Sequence, residues 1–276
     1  MTRRITPLYV LNILLLTLLA LIFLFPILIG FLNSFKSFQE IFLSTLSLPK
    51  SWSLDNYITV FQRIKLLRST GNTAIVSALA IAGIVLFGAM AGYKLSRTRT
   101  KYSTVIFLLF ISSMLVPFHA IMIPLYQMAS KLQLKGHLPG LSVLYIGLGV
   151  SLSIFMFHGF TKSISREMEE AASIDGSSEF GTFFRIILPL LRPAMGTIIV
   201  QMFIWTWNDY LLPVLMLLDM RQFTIVLSVN TLFGEYGNQW NLILPALIMA
   251  VIPVIIIYIF FQRYIMQGVL EGAIKG

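Results

Sequence analysis

Cysteine is absent from the chain, so neither a disulfide nor a thiolate nucleophile or metal ligand is available. Charge is scarce: Lys and Arg total 20 and Asp and Glu 11, together 11% of 276 residues, against 57% hydrophobic residues and a mean hydropathy of +0.86. Soluble domains carry about a quarter of their residues as charges, which excludes an ordinary water-soluble enzyme. There is no GxxxxGK[ST] to cradle a nucleotide phosphate, no HExxH to hold zinc and no GxSxG nucleophile turn. Nor is there a run of five basic residues, so the net charge of +9 does not indicate nucleic acid.

What the chain has in abundance is uncharged length. Windows free of Asp, Glu, Lys and Arg run over 5–35, 69–93, 102–130, 136–161 and 236–262, and a sixth, 193–218, is broken only by Asp209. A helix needs about 20 apolar residues to cross the hydrocarbon, and only a helix satisfies its own backbone there. The expectation is an all-α polytopic membrane protein with six transmembrane helices, near 8–31, 70–93, 103–128, 138–160, 193–217 and 241–263. Its first apolar run is too long for a signal-peptide core and is followed by no A-x-A-like site, so it reads as an uncleaved helix.

Twelve Lys and Arg fall on one side of this topology, among them Arg3, Arg4, Lys94, Arg97, Lys162, Arg166, Arg263 and Lys275. Eight fall on the other, five of them in or beside one loop of more than thirty residues, where charge counts for less. Both termini are therefore expected to be cytoplasmic. Trp52, Trp205, Trp207 and Trp240 then lie toward the outer interface. Within the first outer segment, Ser53 could cap a short helix with Leu54, Tyr57, Ile58 and Phe61 on one face. That face suits either the membrane surface or a packed loop.

The segment 162–192 departs from the rest, with nine charges in thirty-one residues and five of the eleven acids. Its pattern predicts a short exposed helix from about Ser165 to Ile174, capped by Ser163 or Ser165, started by Glu167 and Glu169 and stopped by Gly176. Arg166 and Glu170 are spaced to pair. Ile164, Met168, Ala171 and Ala172 would form a face of little bulk, open to another protein.

Here the chain resembles the membrane-spanning permease subunits of bacterial ATP-binding-cassette importers. Their signature of EAA, three residues, Gly, nine residues and Ile-x-Leu-Pro is met by Glu170-Ala171-Ala172, Gly176, Ile186, Leu188 and Pro189. The surrounding EEAASIDGSS and FFRIILPLLRPA are similar to the carbohydrate-uptake branch. So are Asn33-Ser34-Phe35-Lys36, Trp207-Asn208-Asp209-Tyr210-Leu211 and the Gly272-Ala273-Ile274-Lys275-Gly276 ending. The resemblance implies a type I importer permease fold over 1–276, with 162–192 as a coupling loop. Glu170, Ala171, Ala172, Asp175 and Gly176 would meet a separate ATP-hydrolysing subunit, the Ala pair allowing close packing and Gly176 a sharp turn. ATP and Mg would be used by that subunit, and no cofactor is expected on this chain. Implied partners are two such subunits, a second homologous permease, an extracytoplasmic solute-binding protein and membrane lipid.

An ionisable residue at membrane depth invites a functional reading. Asp209 is expected about 24 Å along helix five from Pro193, at 1.5 Å per residue. With Asn208 it would either line the solute path or serve as an interhelical clamp or external contact. Asn72 and Gln201 are weaker candidates for the path, and His119, His137 and His158 fit packing or interfacial positions. Two rivals stand beside a carbohydrate importer: a permease for a non-sugar solute, and a membrane-embedded enzyme using Asp209 and His158 as acid and base. Prolines 26, 117, 124, 213, 245 and 253 interrupt the spans without an assigned role.

Overall fold

The structure, a computed structural model, describes residues 7–234 and 238–273, with side chains described as far as Gln262. Arg3, Arg4, Lys275, the Arg263 side chain and the last three residues of the Gly272–Gly276 ending lie outside that description. Among the described residues every regular element is helical. In chain order these are α1 (Pro7–Asn33), α2 (Phe38–Leu43), α3 (Asp55–Arg63), α4 (Leu66–Arg97), α5 (Lys101–Ser113), α6 (Phe118–Lys131) and α7 (Leu138–Thr161). There follow α8 (Glu167–Ile174), α9 (Glu179–Thr182), α10 (Leu188–Leu190), α11 (Arg192–Asn208), α12 (Leu211–Met216), α13 (Ile225–Asn230) and α14 (Trp240–Ala273). By length and composition α1, α4, α7 and α14 can each cross a bilayer, and the total rises to as many as six where each of two bent pairs of helices counts as one span.

Helices three and five are not the continuous rods expected from 103–128 and 193–217. The first is broken between Ser113 and Phe118, with a bend of 102° between α5 and α6. The second leaves helical geometry at Asp209, whose φ of −73° and ψ of 133° are extended. Both breaks have a proline in common, although Pro26, Pro124, Pro245 and Pro253 lie inside helices that continue past them. A proline has no N–H to bond the carbonyl four residues back, and its ring clashes with that carbonyl. Pro117 stands four residues after Ser113 and Pro213 four after Asp209, and the two helical runs stop within a residue of those points. Pro189 acts more mildly: the turn before it, Phe183–Ile187, widens to π geometry, with Leu188 N–H bonded to the Phe183 carbonyl. The other bent pair lies here, with 73° between Glu179–Leu190 and Arg192–Asn208.

The chain sorts into two compact units. One takes in the residues through Leu67 together with Val229–Ile252. In it the polar segment after α1 forms a knot. The Asn33 amide donates to the Ile29 and Thr45 carbonyls at 2.8 Å each, the Ser34 and Tyr57 hydroxyls meet at 2.6 Å, and Asn56 donates to the Ser34 and Lys36 carbonyls. Lys36 is fully buried, its ammonium donating to the Ser44 carbonyl at 3.0 Å. A charge can be buried only when so bonded. α2 opens with a capping box: Ser37 Oγ accepts from Glu40 N–H, and a Glu40 carboxylate oxygen accepts from Ser37 N–H at 3.1 Å. α3 begins at Asp55 with Leu54 at its N-cap, one residue later than the cap expected at Ser53, whose Oγ still accepts from Asp55 N–H at 3.1 Å. The face expected on it stays largely open: Leu54, Ile58 and Phe61 are exposed.

The other unit spans Arg68–Ser228 and continues from Pro253. Its core gathers around Ile84, Leu141, Tyr145, Phe157, Ile198 and Leu212. Apolar side chains gain little by leaving lipid for a helix interface, so packing there rests on close approach. α4 and α7 show this directly. A Cβ on Gly88 would sit 2.1 Å from Ser153 Oγ and 2.5 Å from Ser153 Cβ, and one on Gly92 would sit 2.8 Å from Phe157 Cβ and 2.9 Å from the Ile154 carbonyl oxygen. From α7 the fit is returned by Gly149, where a Cβ would meet Ile84 Cδ1 at 2.6 Å.

Candidate functional site

The charged segment after α7 is held in place by its own backbone. α8 starts at Glu167, two residues later than expected, with Ser165 Oγ accepting from Glu167 N–H at 3.3 Å. It ends in a double closure: Ser177 N–H donates to the Ala172 carbonyl at 2.9 Å and Gly176 N–H to the Ser173 carbonyl at 3.1 Å. Gly176 has φ of +79°, a conformation that disfavours any side chain, and no atom lies within 4 Å of where its Cβ would be.

The charges of α8 divide into an inner and an outer set. Glu169 accepts from Arg97 Nε at 2.6 Å and from the Tyr93 hydroxyl at 2.9 Å, and Arg97 Nη2 also donates to the Ile164 carbonyl at 2.9 Å. The side chains of Arg97 and Glu169 are only 13% and 17% exposed, so this pair is desolvated. A further ion pair joins Lys94 to Glu179. Together they bind α8 and α9 to the end of α4. Glu167, Glu170 and Asp175 are exposed, and among the described residues none of these carboxylates pairs with a cation. The expected Arg166–Glu170 pair is not made, because Arg166 turns to donate to the Arg97 carbonyl at 3.1 Å. Neither is the expected low-bulk face uniform. Neighbouring residues sit about 100° apart on a helix, and while Ala171 and Met168 are exposed, Ala172 is 6% exposed and packs inward. Sequence position alone could not separate Glu169 from Glu170.

The second region lies where the two proline breaks meet. A cavity of about 360 Å³ is lined by Ser113, Met114 and Phe118 from one break and by Trp205, Asp209 and Leu211 from the other, with His119 and Leu148 among its remaining walls. Asp209 is half-buried there. One carboxylate oxygen accepts from the Tyr145 hydroxyl at 2.8 Å, the other from Leu211 N–H at 2.9 Å, which caps α12. Tyr145, fully buried, meets the Trp205 ring edge-on at 5.3 Å between centroids. Irregular backbone at membrane depth persists only where it is buried in protein or lines a cavity, and here it does the latter.

The other expected path residues are elsewhere. Asn72 is buried, and its amide donates to the Arg221 and Phe223 carbonyls at 3.0 Å each, a loop clamp. Gln201 is exposed outside this cavity, and Asn208, also exposed, donates back to the Ile204 carbonyl at 2.8 Å. Trp205, Tyr145, Ser113 and His119 were not expected at this site. The signal for them was the pair of prolines, whose breaks bring these residues together. His158 stacks on Phe107 at 3.7 Å and lines a different cavity from Asp209, so the acid–base pair of a membrane enzyme is not formed.

Comparison with known proteins identifies the architecture. Residues 84–271 match the family of binding-protein-dependent transport system inner membrane components. The chain is 40% identical over 257 residues to a probable starch degradation products transport system permease protein of Thermoanaerobacterium thermosulfurigenes, covering 93% of each. It is 32% identical to the arabinooligosaccharides transport system permease protein of Halalkalibacterium halodurans, covering 94% of this chain and 93% of the relative. Among solved structures, one chain of a bacterial ABC transporter involved in import of the acidic polysaccharide alginate has the same fold. Its TM-score is 0.81 at 24% identity, covering 96% of this chain and 98% of that one. The chain therefore belongs to the family of inner membrane components of binding-protein-dependent transport systems, and is a membrane-embedded transport subunit.

Proposed function

We propose that this chain is the permease subunit of an ATP-driven carbohydrate importer of the bacterial cytoplasmic membrane, working by alternating access. The observation that carries this reading is the division of charge on α8. Glu170 and Asp175 stand exposed and pair with no cation among the described residues, while Glu169 anchors the same helix to α4. Asp175 sits at the C-terminal end of α8, where the helix dipole disfavours an anion, a placement that a basic cleft on another protein would compensate. An ATP-hydrolysing subunit that holds this outer face moves α4 through Arg97. ATP and Mg act on that subunit, and the termini and α8 share the cytoplasmic side. A second permease, two ATP-binding subunits and an extracytoplasmic solute-binding protein complete the assembly, as the family's dependence on a binding protein supports.

Two features support sugar as cargo. The relatives described above are named for starch degradation products and arabinooligosaccharides. The cavity at Asp209 offers aromatic Trp205 and Phe118 beside Ser113, His119 and the carboxylate, an apolar wall with few polar groups as ligand sites commonly have. Asp209 and Trp205 would meet the sugar.

The test isolates the chain from its native membrane in mild detergent, as wild type and as Glu170→Lys with Gly176→Pro. Wild type is expected to bring down an ATP-binding subunit and a second permease, and the variant to keep the permease and lose the ATPase. Retention of a sugar-stimulated ATPase by the variant refutes the docking role.

A further inference from the structure

A cavity of about 730 Å³ in the Arg68–Ser228 unit opens between the end of α4, the start of α5 and the end of α7. Five cations line it, Arg97, Arg99, Lys101, Lys162 and Arg166, and no carboxylate does. Arg97 and Arg166 are engaged with α8 and a backbone carbonyl, but Arg99, Lys101 and Lys162 form no ion pair among the described residues. Like charges gathered around a cavity repel one another and are stabilised by an anion among them. A second observation points the same way. Ser96 lines the cavity, is 9% exposed, and its hydroxyl has no hydrogen-bond partner among the described residues. A buried hydroxyl without a partner is rare and asks for a ligand or water.

We propose that this cavity binds the phosphate of an anionic phospholipid. The free cations Arg99, Lys101 and Lys162 would hold the headgroup oxygens, with Ser96 in the wall and Arg97 and Arg166 on the side shared with α8. The lipid source, rather than free phosphate, is indicated by what adjoins the cavity. Thr104 on α5 lines it, and beyond it the exposed apolar side chains of Val105 and, one turn along, Leu108 and Leu109 continue into the span, where an acyl chain would lie. Basic pockets at helix ends take anionic headgroups in this way. The site is separate from the docking face of α8 and stands whether or not that face binds an ATPase.

The test titrates the purified full-length chain in neutral detergent with short-chain phosphatidylglycerol, short-chain phosphatidylcholine or inorganic phosphate, reading thermal unfolding by Trp fluorescence. Phosphatidylglycerol is expected to raise the midpoint saturably, phosphatidylcholine not at all, and phosphate only at far higher concentration while competing with the lipid. Each cation near such a headgroup strengthens binding about fivefold, so Arg99→Gln with Lys101→Gln and Lys162→Gln should raise the half-saturating concentration about a hundredfold. Lys162→Gln alone, an exposed single change, should raise it about fivefold. Lys50→Gln with Lys65→Gln and Lys131→Gln, equal in charge removed, should leave it unchanged. Equal responses to both lipids, or equal losses in the cavity and control variants, would overturn the site. A full response to phosphate at the concentrations where phosphatidylglycerol acts would overturn the lipid assignment.

Discussion

Glu169 and Glu170 are adjacent, chemically identical and assigned opposite roles, so substituting them one at a time separates fold from coupling. Glu169→Gln preserves the shape and the Tyr93 hydrogen bond but removes the charge facing Arg97. The pair is only 13% and 17% exposed and is bonded at 2.6 Å. A hydrogen bond to a charged group contributes about 1.5–3 kcal/mol, so a loss of about 2 kcal/mol is expected. That corresponds to a roughly thirtyfold larger population of α8 opened from the end of α4. Glu170→Gln touches an exposed side chain that pairs with no cation among the described residues and should change local stability by less than about 0.5 kcal/mol. The assay is amide hydrogen exchange across 167–176, with co-isolation of the ATP-hydrolysing subunit and solute uptake per ATP in reconstituted vesicles. Glu169→Gln should exchange faster, keep the ATPase bound and transport less solute per ATP hydrolysed. Glu170→Gln should exchange as wild type and lose the ATPase. The same pattern from both variants, or unchanged exchange in Glu169→Gln, refutes the division.

Gly88→Ala places a methyl 2.1 Å from Ser153 Oγ and forces α4 from α7; a loss of about 1–3 kcal/mol follows from overpacking and is measured by thermal unfolding in detergent, with Gly147→Ala, where nothing lies within 4 Å, as a neutral comparison. Asp209→Asn with Trp205→Leu should abolish sugar-stimulated uptake while ATPase binding persists, checked by uptake and co-isolation on one preparation. The backbone hydrogen bonds from Ser37 and Lys50 hold the Glu40 carboxyl below its ordinary range. Because the folded value is the lower one, the stability Glu40 adds is present above the ordinary glutamate range and is lost as pH falls through the folded value. Protection of the Ser37 and Lys50 amides, measured as exchange relative to the intrinsic rate at each pH, should therefore fall on acidification, and Glu40→Gln should remove that dependence.

The spans were legible because the bilayer penalises every charge and every unpaired backbone group, leaving long uncharged windows as their record. The loop helix and its glycine stop were legible as well, since φ of +79° at Gly176 is a local property that glycine alone accepts readily. The cavity was not, and Pro117 and Pro213 show why. A proline announces a break, yet where the chain goes after it depends on the helices packed alongside. Only the folded arrangement brings Ser113 and His119 into the same cavity as Asp209. The bonding of Asn72 was hidden for a related reason: its polarity was visible, but the two carbonyls it serves lie about 150 positions further along the chain.

The glycine contacts between α4 and α7 make the two helices a single beam, because neither can slide without driving a methylene or a carbonyl into the other's backbone. At one end of that beam Arg97 grips Glu169, and along it α7 carries Tyr145, whose hydroxyl holds Asp209. Under the proposed function, a displacement applied at α8 would reach the cavity as the travel of a stiff strut, without any relay of side-chain rearrangements between them. Tyr145 is the tip of that strut.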